Sequence, residues 1–156
     1  MRILGIILIM CCFMCVGLTE TRAQHGGFGL GIMAGEPTGL SFKYWIAPAS
    51  AIDAGTAWSF SNHPSFHLHA DYLWHKFDLI PVGKGELPLF FGVGNRLKIH
   101  QDGENSEFGI RFPVGLAYIF ADGQFDTFTE IVPVMDLFPA TEFDLNAAIG
   151  IRIYFR

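Results

Sequence analysis

From Phe28 onward the chain alternates, residue by residue, between apolar side chains and small or polar ones. No stretch of useful length carries the period of a helix. Phe28, Leu30 and Ile32 oppose Gly29, Gly31 and Met33, and Glu36-Pro37-Thr38-Gly39 then forms a turn signal. Leu40, Phe42, Tyr44 and Ile46 oppose Ser41, Lys43 and Trp45, up to a break at residues 47–50 that contains Pro48. Ile52, Ala54, Thr56, Trp58 and Phe60 oppose Asp53, Gly55, Ala57 and Ser59, and Ser61-Asn62-His63-Pro64 interrupts again. Phe66, Leu68, Ala70, Tyr72 and Trp74 oppose His67, His69, Asp71 and Leu73. The linker over residues 75–88 is the longest and has room for a short turn of helix.

Leu89, Phe91, Val93, Asn95, Leu97 and Ile99 then oppose Phe90, Gly92, Gly94, Arg96 and Lys98, before a polar, acidic loop over residues 100–107. Phe108, Ile110, Phe112, Val114, Leu116, Tyr118 and Phe120 oppose Gly109, Arg111, Pro113, Gly115 and Ala117, and Ala121-Asp122-Gly123 is a tight turn. Residues 125–136 read as a strand of undecided facing, because Phe128 and Glu130 share a side. Leu145, Ala147, Ile149, Ile151, Ile153 and Phe155 finally oppose Asn146, Ala148, Gly150, Arg152 and Tyr154.

This makes eight strand candidates, most of them long enough for the roughly 9–11 residues that cross a membrane. Eight is also the smallest bacterial transmembrane barrel. The sequence therefore predicts an all-β fold, an eight-stranded antiparallel up-and-down transmembrane β-barrel. Its apolar face is almost pure. The opposite face carries Gly, Ala and Ser with nearly all the in-strand charge: Lys43, Asp53, Asp71, Arg96, Arg111 and Arg152, with Lys98. A soluble sandwich would turn a dense mixture of Lys, Glu, Thr and Ser to water. A sparse, sign-balanced face suits the interior of a narrow barrel, where these charges form a paired network.

The start of the chain has a different character. Arg2 precedes an apolar run over residues 3–18, and Thr21-Arg22-Ala23 fits a small-x-small cleavage site. The run is shorter than the roughly 18 residues of a spanning helix. Residues 1–23 are read as a secretory signal, and residues 24–156 as one barrel domain. Cys11, Cys12 and Cys15 all lie in the signal, without the small residue that precedes a lipidated cysteine. The exported chain would then have no thiol, which excludes disulfides and Cys-ligated metals. Removing Arg2, Arg22 and Glu20 from ten basic and fifteen acidic residues leaves eight and fourteen, a net charge of −6. There is no basic stripe, so nucleic acid is not an expected partner.

With the first strand starting in the periplasm, the even strands end there too. All four tyrosines fall near those ends, at Tyr44, Tyr72, Tyr118 and Tyr154, where an aromatic ring with a polar tip suits a membrane interface. The last strand closes on Ile151, Ile153 and Phe155. That ending resembles the C-terminal signal by which outer-membrane barrels are recognised for assembly, although Arg156 follows the aromatic. As a whole, the exported segment resembles the small eight-stranded outer-membrane barrels of the OmpA/OmpX-like class. Two stretches are similar to those of uncharacterised small barrels of Gram-negative bacteria: residues 35–41 with Lys43 and Trp45, and residues 67–75. The resemblance implies an outer-membrane location, with outer-membrane lipid and the barrel-assembly machinery as partners. It implies no activity.

His67-x-His69-x-Asp71 is the sharpest cluster. Strand residues two apart share a face about 7 Å apart, so two imidazoles and a carboxylate could face one metal. The same residues also suit an interior network with Arg96, Arg111 or Arg152, and this is the preferred reading, with no metal and no cofactor expected. Ser65 and His67 with Asp71 or Glu130 contain the residue types of a lipid-modifying hydrolase, but in Ser-x-His order, the reverse of the outer-membrane deacylases. Gly92-Val93-Gly94 lacks the following helix of a phosphate cradle. Asp102, Glu104 and Glu107 make an acidic tip that could meet calcium or an extracellular partner, although a solvated acidic loop is the commoner case. The expected function is a non-enzymatic outer-membrane barrel with a closed polar lumen and a structural or surface-interaction role. The rivals are a lipid-modifying outer-membrane enzyme and a soluble periplasmic barrel holding an apolar ligand.

Overall fold

The structure, a computed structural model, describes residues 27–36, 38–59, 65–100 and 106–155. Residues 1–23, where the sequence predicts an export signal, and the tip residues Asp102 and Glu104 lie outside the described residues. The chain forms β1 (Phe28–Glu36), β2 (Thr38–Ala47), β3 (Ser50–Ser59), β4 (Ser65–Lys76), β5 (Leu89–His100), β6 (Glu107–Arg111), β7 (Val114–Ile119), β8 (Phe125–Phe138) and β9 (Glu142–Phe155). Every pairing is antiparallel, and β9 returns to β1, from Phe28↔Phe155 to Glu36↔Ala147. Hydrogen bonding thus runs around a closed ring, which removes the sheet edges that would otherwise invite aggregation. The linker over residues 77–88 contains no helix; its last residues pair with β7 instead, through Glu86 and Ile119.

Among the described residues nine segments appear where the sequence predicts eight strands, because the sixth is divided at Pro113. Two prolines cause the division. The Phe112 N–H donates to the Pro133 carbonyl at 2.9 Å, and the Gly92 N–H donates to the Pro113 carbonyl at 2.9 Å. In an antiparallel ladder each of these pairs would exchange a second bond, and the missing proline N–H removes it. β6 and β7 both pair with β5 on one side and β8 on the other, so together they occupy one place in the ring.

Alternation sorts the side chains to two faces. Leu40, Tyr44, Trp58, Trp74, Val93, Leu97, Ile149, Ile151, Ile153 and Phe155 are exposed on the outside, while Lys43, Arg96, Arg111 and Arg152 are buried within. β8 resolves its ambiguity with its even-numbered residues inward, so Asp126, Phe128, Val132, Val134 and Asp136 are all buried. The interior is less uniformly small and polar than the sequence predicts. Met33, Leu73, Phe90 and Phe128 form an apolar cluster there with Ala57 and Ala117. Trp45, Ala51, Ile119 and Tyr154, with Phe77 against them, form a second one. Tyr154 therefore does not join the outward aromatics at the ends of the other even strands.

Candidate functional site: the interior charge network

Three arginines organise the interior, each held by a different strand. Arg152 on β9 lies nearest the end where β1 begins. Its Nε donates to Asp126 at 2.9 Å and its Nη1 to Ser41 at 3.3 Å. Nη1 also pairs with Asp53. The guanidinium carbon sits 4.1 Å from the centre of the Phe128 ring, a cation–π placement. Tyr154 donates its hydroxyl to the other Asp126 oxygen at 2.6 Å.

Arg111 holds the middle. Its Nε is 3.1 Å from both oxygens of Asp71, and its Nη2 is 3.6 Å from Glu130. Asp53 and Asp71 are direct cross-strand partners, a like-charge pairing that is unfavourable by itself. Each is drawn to its own arginine, Asp53 to Arg152 and Asp71 to Arg111.

Arg96 occupies the end opposite Arg152. It grips Asp136 through both ends of its fork, at 3.2 Å and 2.6 Å, and donates to Asp144 at 2.8 Å and Asn146 at 3.0 Å. The bidentate geometry is the stronger form of this contact. Lys98 and His100 meet Glu107 at 3.3 Å and 3.4 Å.

Register explains how these long side chains fit. Arg152 stands opposite Gly31, Arg111 opposite Gly94, and Arg96 opposite Gly109. A methyl group on Gly31 would meet Arg152, and one on Gly94 would meet the Asp71 carboxylate. Across each ladder an empty position thus receives a full one.

Lys43 behaves differently from the arginines. It is buried, with its Nζ 2.7 Å from His75 Nε2 and 4.5 Å over the Trp45 ring. Among the metal-type candidates, His67 Nε2 is 3.0 Å from the Ser65 hydroxyl. His69 packs over Gly55, and its Nδ1 has no hydrogen-bond partner among the described residues. The three residues face one way but do not converge, since Asp71 is turned to Arg111. No group of three His, Cys, Asp or Glu side chains able to hold a metal occurs among the described residues. The Ser-x-His pair does meet, but Asp71 and Glu130 lie against Arg111 and do not orient the imidazole.

Sequence reasoning missed Asp126, Glu130 and Asp136 on β8, and Asp144 on β9, as carboxylates that meet the arginines, along with Tyr154 and Asn146. A signal was present, since the three acids of β8 have the same parity along it. The apolar residues at 128, 132 and 134 obscured it.

No protein-family model matches the chain, and no curated protein sequence matches it. Among solved structures, the chain is similar to the N-terminal β-barrel domain of OprF from Pseudomonas aeruginosa. The two share 14% sequence identity with a TM-score of 0.62, over 82% of this chain and 95% of that one. At that identity the likeness concerns the fold: an antiparallel β-barrel.

Proposed function

We propose that this chain is a non-enzymatic outer-membrane β-barrel protein with a closed, charge-paired lumen and a structural or surface-interaction role. The observation that carries the reading is the inversion of the two faces. Arg152 and Lys43 are each 1% exposed in the interior, while Ile32 and Ile149 are 62% exposed outside. An apolar exterior continuous around a ring requires an apolar solvent, and a bilayer supplies one. The OprF barrel fold and the eight-place ring support the same reading. Residues 1–23 act as the export signal, outer-membrane lipid surrounds the belt, and the barrel-assembly machinery receives the strand ending at Phe155.

On the cell surface, the β8–β9 hairpin is the feature suited to contact. The β1–β9 ladder ends at Glu36↔Ala147, so the first residues of β9 project past β1, with Phe143 82% exposed. The lumen is filled. Eight strands leave an interior just wide enough for side chains, and here the arginine–carboxylate sets and the two apolar clusters occupy it. The purified protein in planar bilayers should show no steady ion conductance, and membranes carrying it should retain it through carbonate extraction. Reproducible selective conductance steps would replace the closed lumen with a channel, and release by carbonate would remove the membrane reading.

A further inference from the structure

On the outside of the ring, at the end where β1 begins, the surface is indented. A groove of about 280 Å³ lies between Trp74, Phe91, Ala49, Ser50, His75 and Lys76. Its walls are built, not incidental. The Trp74 and Phe91 rings stack at 5.8 Å, and Tyr72 extends the ladder at 4.7 Å from Trp74. The turn that forms the far wall is tied down, because the His75 N–H donates to the Ala49 carbonyl at 2.7 Å. Ser50 stands directly across from Trp74. Lys76 is exposed at the rim, one strand position beyond the buried His75 and two beyond Trp74.

The geometry points to a seat for one anionic glycerophospholipid, its phosphate at Lys76 and Ser50 and its acyl chain along Trp74 and Phe91. The inference rests on the membrane reading above. The chemistry is asymmetric in the way a lipid is: an apolar trough continuous with the outer belt, with one cation and one hydroxyl at its end. A neutral apolar guest would leave the lysine unused, and a free phosphate would leave the aromatic walls unused. One lysine beside an anionic headgroup corresponds to a preference of about fivefold.

Tryptophan fluorescence can read this directly. The sequence has three tryptophans, and Trp45 is buried inside the ring. In a Trp58→Phe background, Trp74 is therefore the one outward indole. The exported chain is folded into phosphatidylcholine vesicles containing a minor fraction of lipid with brominated acyl chains, either phosphatidylglycerol or phosphatidylcholine. The expected result is that brominated phosphatidylglycerol associates with Trp74 about fivefold more strongly. Lys76→Gln should bring the two lipids to parity, and Lys76→Arg should keep the preference. Equal quenching in the parent, or a preference untouched by Lys76→Gln, overturns the seat while leaving the membrane reading standing. Loss of the preference in inorganic phosphate, but not in chloride of equal ionic strength, would assign the site to free phosphate and also overturn it. If neither brominated lipid quenches Trp74, the membrane reading falls with it.

Discussion

β8 and β9 are neighbours of equal length, paired from Phe125↔Ile153 to Asp136↔Glu142, yet they differ in how they hold the ring. β9 alternates without exception from Leu145 to Phe155, with aliphatic and aromatic residues out and Asn146, Arg152 and Tyr154 in. β8 turns Thr127, Thr129 and Pro133 outward and mixes Phe128, Val132 and Val134 with acids inward. The contrast shows that a residue's facing follows the parity of its whole strand and not its own polarity, so that apolar inward residues must be complemented by what they meet. Alternation along β8 puts Phe128 and Asp126 on the same inward side, and Arg152 meets both, the ring against its guanidinium and the carboxylate at its Nε.

The largest effect should come from the outer face of β9. Phe155→Asp places a charge at the last outward position and removes the terminal aromatic of the proposed assembly signal. Little or no assembled protein should remain in the outer-membrane fraction, as read by heat-modifiable gel migration. Normal abundance would mean that β9 is no more critical outward than β8.

Next comes the interior contact between the two strands. Arg152→Met leaves Asp53 and Asp126 buried without the arginine they share, with Tyr154 still donating to Asp126, which should cost about 3–5 kcal/mol in urea unfolding. Adding Asp53→Asn and Asp126→Asn should recover part of that loss. A loss below about 1 kcal/mol would place the network at the level of a surface ion pair.

The smallest effect lies on the outer face of β8. Thr129→Val makes that strand resemble β9, and in lipid it should stabilise by up to about 0.5 kcal/mol. A destabilised variant would indicate that Thr129 meets water or a polar partner.

Much of the fold is legible in the chain because a period of two needs no tertiary information. Arg96, Arg111 and Arg152 are each on the side opposite an apolar run, and that side is the interior. Which carboxylate each arginine meets is not legible, since Asp71 and Arg111 are brought together by registers across two ladders. The division at Pro113 was equally hidden. A single proline in a strand weakens one bond, and the break becomes visible only when Pro133 arrives alongside. The facing of β8 required knowing that Phe128 has a cation above it.

The glycines opposite the arginines also act as an error check on strand alignment. A slip of one residue turns an apolar face inward and is costly at once. A slip of two preserves both faces, and the mostly apolar exterior detects it poorly. The interior can. Sliding β6 by two along β5, away from the Arg96↔Gly109 alignment, would set Arg96 opposite Arg111 and Gly94 opposite Pro113. Two like charges would then compete for one space. The empty positions therefore store the count that keeps the strands in step.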